Sequence, residues 1–377
     1  ATLAEVEIAS YPFTTIKANH GVGYVKVDCI ERELNTKCNP NHGFCINGVR
    51  FVPIDLMDVA GLVPGASEGK GLGNQFLDDL RQANAFIQIV DLSGQTDAEG
   101  KDLAGKDYDV CSDVKFLEDE LDKWYFNILT KVWKTFSKSL DSGKDINYPR
   151  AIAKQFSGLG VNEEHAKTVF RRLGMDEHLS RWTPQQILNF ASLLRKESKP
   201  MIIAANKVDM EKGAENLKKL KEAFPDKIIF PCSADSELAL REAAKHGLIE
   251  YIPGESDFNV IKELNEKQKQ ALEKIKKEVL DIYGGTGVQE ILNKAVFELL
   301  GYLAIFPASA NRLADSKGNI LPDCFLLPLG STALDFAFFL HTDFGKNFIK
   351  AIDAKTKRAL GKDYVLKNRD ALEIVTR

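Results

Sequence analysis

Four short apolar runs each stop at a polar or glycine-bearing loop, and this repeated pattern constrains the fold of the 377-residue chain more than any other feature. Phe86-Ile-Gln-Ile-Val90 ends in Asp91, and Met201-Ile-Ile-Ala-Ala205 ends in Asn206-Lys207. Both suit buried parallel strands, since short continuous apolar runs belong to sheets covered on both faces. Phe51-Val-Pro-Ile-Asp-Leu-Met57 ends at Asp58 and a Gly-rich loop, with Pro53 arguing for an early or edge position. Lys227-Ile-Ile-Phe230 leads into Pro231-Cys-Ser-Ala-Asp235. In α/β sheets of this kind, ligands gather outside the carboxyl ends of the strands, so the residues closing each run are the first candidates for a site.

Composition narrows the class. Hydrophobic residues at 44% and charged residues at 28% are ordinary for a globular protein. No run reaches the ~18 uncharged apolar residues of a membrane span. A formal charge of −4 carries no whole-chain signature of nucleic-acid binding. Six cysteines are too few for a disulfide framework at this length, and there is no secretory h-region, so a reducing cytoplasm is expected. The length itself predicts two or three domains.

Between Asp97 and Pro200 the strand signal gives way to helical periodicity, with Val114, Leu117, Leu121, Trp124, Ile128 and Val132 on one face. Asn162 and Thr183, the latter followed by Pro184, are expected to cap helices. Trp124, Tyr125, Trp133 and Trp182 are expected in a helical core. A long Lys- and Glu-rich helix over 263–282 precedes Gly284-Gly285-Thr286-Gly287, which follows no strand and is read as a helix-to-helix turn rather than a phosphate cradle. From about Tyr302 the texture becomes that of a small α+β module with a slight excess of basic residues.

The loops carry the chemistry. Asp58-Val59-Ala60-Gly61 offers a carboxylate that can hold Mg²⁺ through water and a glycine N–H for a terminal phosphate. Asn206-Lys207-Val208-Asp209 is more specific: a carboxylate at Asp209 can accept the N1–H and 2-amino hydrogens of guanine, whereas adenine presents an acceptor at N1. Asn206 would tie loops together, the Lys207 stem would cover the base, and Ser233-Ala234 would add backbone contacts. Singly each motif is an ordinary loop at a strand end; their order after successive strands is what points to a guanine nucleotide. Tyr11-Pro-Phe-Thr-Thr15 adds hydroxyls, Thr14 and Thr15, suited to a metal shell and a γ-phosphate sensor.

These segments, with Gly69-Lys-Gly-Leu-Gly-Asn74 and Phe76-Leu-Asp-Asp-Leu-Arg81, resemble the Obg-related GTPases, specifically the YchF (Obg-like ATPase) branch in its archaeal-type form. The resemblance spans essentially the whole chain. It implies a Ras-like P-loop NTPase sheet with a helical insertion, and a β-grasp-like TGS domain in which Gly330-Ser331-Thr332 and His341-Thr-Asp-Phe-Gly-Lys346 match the signature. The domains are then 1–96 with 199–301 for the nucleotide-binding unit, 97–198 for the helical insertion and 302–377 for the TGS domain. Hydrolysis of GTP with Mg²⁺, potassium dependence, and association with ribosomes or RNA through the helical and TGS domains are likewise implied. Many members of this branch prefer ATP and have degraded base-reading tetrads; Asn206, Lys207 and Asp209 are intact here and favour GTP.

Two departures stand out. The G-x-x-x-x-G-K-[ST] loop is absent, and Ala1-Thr-Leu-Ala is expected to be the remainder of the helix that follows it, so the chain should bind nucleotide poorly and lack the first strand of its sheet. Leu62 stands where many Ras-like enzymes carry a water-orienting Gln, so hydrolysis is expected to be slow unless another group positions the water, or Leu62 simply packs. Lys70, Gly71 and Asn74 are adjacent switch II candidates. The competing expectation is a non-enzymatic adaptor with a silent nucleotide site.

Cys29, Cys38, His42 and Cys45 form a C-x8-C-x3-H-x2-C cluster that can hold Zn²⁺, although a hairpin of ordinary cysteines explains the spacing equally. In the C-terminal module, His341, Lys346, Lys350, Lys355, Lys357 and Arg358 form a candidate RNA face, with Asp335, Asp343 and Asp353 interleaved.

Overall fold

The computed structural model describes residues 19–59, 80–96, 103, 108–143, 147–174, 178–309, 313–315 and 317–377. Thr14, Thr15, Gly61, Leu62, Lys70, Gly71 and Asn74 lie outside the described residues.

Strand β1 (Asn19–Asp28) pairs antiparallel with β3 (Val49–Asp58) along its full length, and β2 (Phe44–Ile46) pairs with the start of β3 on the other side. Pro53 falls beyond the reach of β2, so on that side the strand is an edge where a missing N–H costs nothing. Apart from the hairpin allowed for the cysteine segment, no strand was expected before Phe51. The signal was a period of two, since Gly23, Val25, Val27 and Cys29 are buried in alternation, but two glycines dilute it. A Cβ on Gly23 would lie 2.5 Å from Leu56 Cδ1, which explains the small residue.

The apolar runs form β4 (Phe86–Asp91), β5 (Met201–Asn206) and β6 (Ile228–Pro231), a parallel sheet in the order β4-β5-β6. Among the described residues no ladder joins β3 to β4. A cavity of about 570 Å³ separates them, lined by Pro53, Asp55 and Met57 on one side and Phe86 and Gln88 on the other.

Helix α1 (Cys111–Asp141) roots the helical region in this sheet. Its first turns bury Cys111 and Val114 against Val90, Leu92 and Ile203, while farther along Leu121, Trp124, Leu129 and Trp133 enter a separate core with Trp182 and Phe190. Helices α2 (Tyr148–Gln155), α3 (Glu163–Leu173) and α4 (Pro184–Ser198) complete that core. Asn162 and Thr183 cap α3 and α4 as expected, accepting from the backbone N–H groups of His165 and Gln186. Arg195 is buried between Asp122 at 2.8 Å and Glu118 at 3.4 Å, and Glu118 also pairs with Lys227 beside β6.

Helices α5 (Gly213–Ala223) and α6 (Ala234–Lys245) follow β5 and β6. After the small hairpin β7 (Ile249–Glu250) and β8 (Asn259–Val260), α7 (Glu266–Ile275) runs on through a π-helical turn to Tyr283. Gly284 and Gly287, at φ of +76° and +80°, make the expected turn into α8 (Val288–Asn293). The C-terminal module contains β9 (Tyr302–Pro307), β10 (Phe325–Pro328), β11 (Phe348–Asp353), β12 (Ala359–Leu360) and β13 (Ala371–Thr376) in the order β10-β9-β13-β11-β12. Parallel pairing of β9 with β13 brings the two ends of the module together at its centre, as in a β-grasp. Helix α9 (Ala333–Leu340), capped by Thr332, buries Phe336 against Ile305, Leu327 and Leu372. The short α10 (Thr342–Lys346) follows it. No helix among the described residues is long and apolar enough to cross a membrane.

Candidate functional site

The parallel register places Asp91 directly beside Asn206, so the loops after β4 and β5 start side by side. Lys207 donates from Nζ to Asp91 Oδ2 at 2.7 Å, while Asp91 Oδ1 accepts from Ser93 N at 2.9 Å. Burial opposes ionisation of Asp91, but the hydrogen bonds from Lys207 and Ser93 outweigh it and hold the carboxyl below its usual range. Lys207 adopts a φ of +61°, a conformation that costs a residue bearing a Cβ and that persists where neighbouring contacts impose it. The same loop then folds tightly onto the start of α5, since a Cβ on Gly213 would lie 2.3 Å from Val208 O.

Asn206 Oδ1 accepts from Ala234 N at 3.0 Å and so joins the β5 loop to the β6 loop. Val208 N and Cys232 O, 3.2 Å apart, reinforce the link. Asp209 is half-buried and has no hydrogen-bond or ion-pair partner among the described residues. Its charge reaches Cys232, whose thiol is pushed up to about 12 by burial and then by Asp209, and Tyr283, raised by the same two causes. Thus Asn206 and Lys207 are tied into the scaffold, and the Asp209 carboxylate that follows them is left available.

The two backbone donors expected to face the base are both engaged. Ser233 N donates to Thr286 O at 2.9 Å, and Ala234 N is the partner of Asn206. Ser233 acts instead as the cap of α6, its Oγ accepting from Ser236 N. Behind this loop the buried Glu237 accepts from Thr286 Oγ1 at 2.6 Å, Tyr251 OH at 2.8 Å and Arg241 Nε at 2.5 Å. The turn at Thr286 therefore supports the Ser233-Ala234 loop, and a Cβ on Gly287 would lie 2.0 Å from Pro231 O. Asp91, Glu237, Thr286 and Tyr283 were not expected in this role. Only Asp91, which closes an apolar run as Asp58 does, carried a sequence signal.

Asp58 stands exposed at the carboxyl end of β3. It is the described member of the expected magnesium set, and an exposed carboxylate at a strand end suits contact to a hydrated dication.

Cys29, Cys38 and Cys45 converge, but His42 does not join them. The His42 ring is exposed, and its Nδ1 lies 2.9 Å from Asp323 Oδ1. Glu31 takes the fourth place in the cluster. In the C-terminal module His341 caps α10 by accepting from Asp343 N, and Lys355 pairs with Glu33 at 2.6 Å. Lys346, Lys350, Lys357 and Arg358 are exposed.

Comparison with known proteins supplies the wider context. Residues 204–309 match the family model for the Obg-like GTPase YGR210-like, G4 motif-containing domain, and residues 317–376 match the TGS domain. An uncharacterized GTP-binding protein of Methanocaldococcus jannaschii is 48% identical over 98% of this chain and 93% of its own length. The ribosome-binding ATPase YchF of Bacillus subtilis is 25% identical over 98% of this chain and 92% of its own. The crystal structure of a GTP-binding protein from Pyrococcus horikoshii OT3 superposes with a TM-score of 0.76 at 40% identity, covering 95% of this chain and 93% of that one.

Proposed function

This chain belongs to the Obg-like GTPase family that carries a TGS domain, and on that premise we propose that it binds GTP in the loops after β3, β4, β5 and β6 and hydrolyses it slowly with Mg²⁺. The observation that carries the base assignment is the Asp209 carboxylate, left without a partner just after two anchored residues, Asn206 and Lys207. A free, half-buried carboxylate satisfies the paired N–H groups of guanine and meets a lone pair in adenine. The Lys207 stem lies along the base plane with its ammonium held by Asp91. Guanine O6 competes with Asn206 Oδ1 for the Ala234 N–H, so base binding rearranges the link between the two loops.

Asp58, with Thr15, would hold magnesium, which when bound neutralises charge on the phosphate oxygens. Gly61 would present its N–H to the γ-phosphate. Leu62 has no group that accepts or orients a proton, so the attacking water needs another partner and turnover by the isolated protein is slow. The names of the YchF relatives support a ribosome-associated role, with the helical and TGS domains as the contacting parts. Lys346, Lys350, Lys357 and Arg358 are exposed cations suited to RNA phosphates there. Six free thiols fit a reducing cytoplasm.

Calorimetry of the protein with GTP, GDP and ATP tests the reading. Guanine nucleotides should bind more tightly than ATP. Equal affinity for ATP removes the base assignment in favour of an ATPase, and no binding of any nucleotide leaves the adaptor.

A further inference from the structure

Cys29 follows the last residue of β1, Cys45 is central in β2, and Cys38 lies on the segment between them. One ligand atom from each of these cysteines and from Glu31 all lie within 4.8 Å of one another. Cys29 Sγ is 3.7 Å from Cys38 Sγ. Tetrahedral Zn²⁺ with Zn–S bonds of ~2.3 Å separates its sulfurs by about 3.8 Å, so this pair already stands at the edge length of a zinc site. The backbone holds the arrangement in place: Cys29 N donates to Gly48 O at 2.8 Å, and Cys38 N donates to Glu31 Oε2 at 2.9 Å.

A second observation concerns charge. Arg50 is Cys45's cross-strand neighbour in the β2–β3 ladder, which sets the two side chains side by side on one face. It is fully buried. Its Nη2 donates to Leu321 O and its guanidinium lies 5.8 Å from the centre of the Phe306 ring, but Nε and Nη1 have no hydrogen-bond partner among the described residues, and no carboxylate pairs with it. The Glu31 carboxyl feels the Arg50 charge but makes no ion pair with it, and a buried cation so weakly compensated is disfavoured. Three thiolates and one carboxylate around a dication leave two net negative charges, and these would complete the counter-charge of Arg50.

We propose that Cys29, Cys38, Cys45 and Glu31 bind a single Zn²⁺ ion, which clamps the segment between β1 and β2 against the C-terminal module. The thiolates favour zinc over the hard cations, and its binding releases the remaining thiol protons to solvent. The clamped segment carries the contacts to the module. Asn39 N and Asn41 N donate to Ile320 O and Pro322 O, both at 2.8 Å, and Glu33 pairs with Lys355 and Arg369. The metal thus sets the attachment of the TGS domain and is separate from the nucleotide loops.

The test uses the 377-residue chain with the metal alone. Mass spectrometry after desalting in zinc should find about one equivalent per chain, removed by chelation, and Co²⁺ added to the stripped protein should give tetrahedral d–d bands with thiolate-to-metal charge transfer. Cys38→Ser should lower zinc affinity by roughly tenfold or more, while Cys111→Ser, whose thiol lies at the start of α1, should leave it unchanged. Chelation should also open the 30–43 segment to protease. No stoichiometric zinc together with no thiolate–cobalt band, or a Cys29–Cys38 disulfide isolated from zinc-replete protein under reducing handling, overturns the proposal. The wild-type cobalt spectrum decides it even if Cys38→Ser does not fold.

Discussion

Lys207 Nζ sits 2.7 Å from Asp91 Oδ2 and ties together the loops that leave two adjacent parallel strands. The pair fixes the Lys207 side chain, while Asp209 has no hydrogen-bond or ion-pair partner among the described residues and, in the proposed reading, is the group that selects the base. Asp91→Asn should weaken GDP binding by about tenfold, the scale of one charge-assisted hydrogen bond. Because the Asp91 carboxyl is depressed in the folded protein, its contribution is present above the unfolded value of about 3.9 and is lost as pH falls through the lower folded value. The gap in unfolding midpoint between wild type and variant should therefore close on acidification below about pH 4. A gap that widens there contradicts the tether.

In the proposed reading, Asp209→Asn removes the acceptor for the two guanine N–H groups. GTP affinity should fall by about 5- to 150-fold, corresponding to ~1–3 kcal/mol, and xanthosine triphosphate should become the better ligand. Competition binding with the two nucleotides measures the exchange. Retained preference for GTP would place base reading elsewhere.

Glu237 is 2% exposed and gathers Thr286, Tyr251 and Arg241 behind the Ser233-Ala234 loop. Glu237→Leu strands the Arg241 charge and two hydroxyls, and should cost about 3 kcal/mol or more in chemical unfolding. Glu237→Gln keeps the acceptor oxygen and should cost less. An equal loss in both variants would mean that shape, not hydrogen bonding, sets the site.

Lys199 donates to the carbonyls of Arg81 and Ala83 at the end of the helical region, and burial lowers its ammonium to about 8. The unfolded chain, with a pKa near 10.4, holds more protons between those values, so stability should rise with pH across the window from about 8 to about 10.4. Lys199→Met should remove that slope. Urea midpoints measured across the window check it, and an unchanged slope in the variant would assign the effect to another group.

Much of this was legible because periodicity and turn chemistry are local. Met201–Ala205 could only suit a short buried strand, Asn162 and Thr183 announced their helices, and Asn206-Lys207-x-Asp209 fell at a strand end. β1 was not legible, because its glycines hide an alternation that only Leu56 across the sheet makes necessary.

The sequence by itself determined the kind of residue available at each strand end, since hydrophobic pattern and side-chain chemistry are properties of neighbouring residues. Which of those residues are anchored and which are free was decided only by tertiary structure. Asp91 and Lys207 are 116 positions apart, and Glu237 and Thr286 are 49. The same holds for the cysteines: their spacing allowed His42 as a ligand, but its ring lies against Asp323, and Glu31 stands in its place. Side-chain direction follows from backbone dihedrals and distant partners, and neither is encoded in spacing alone.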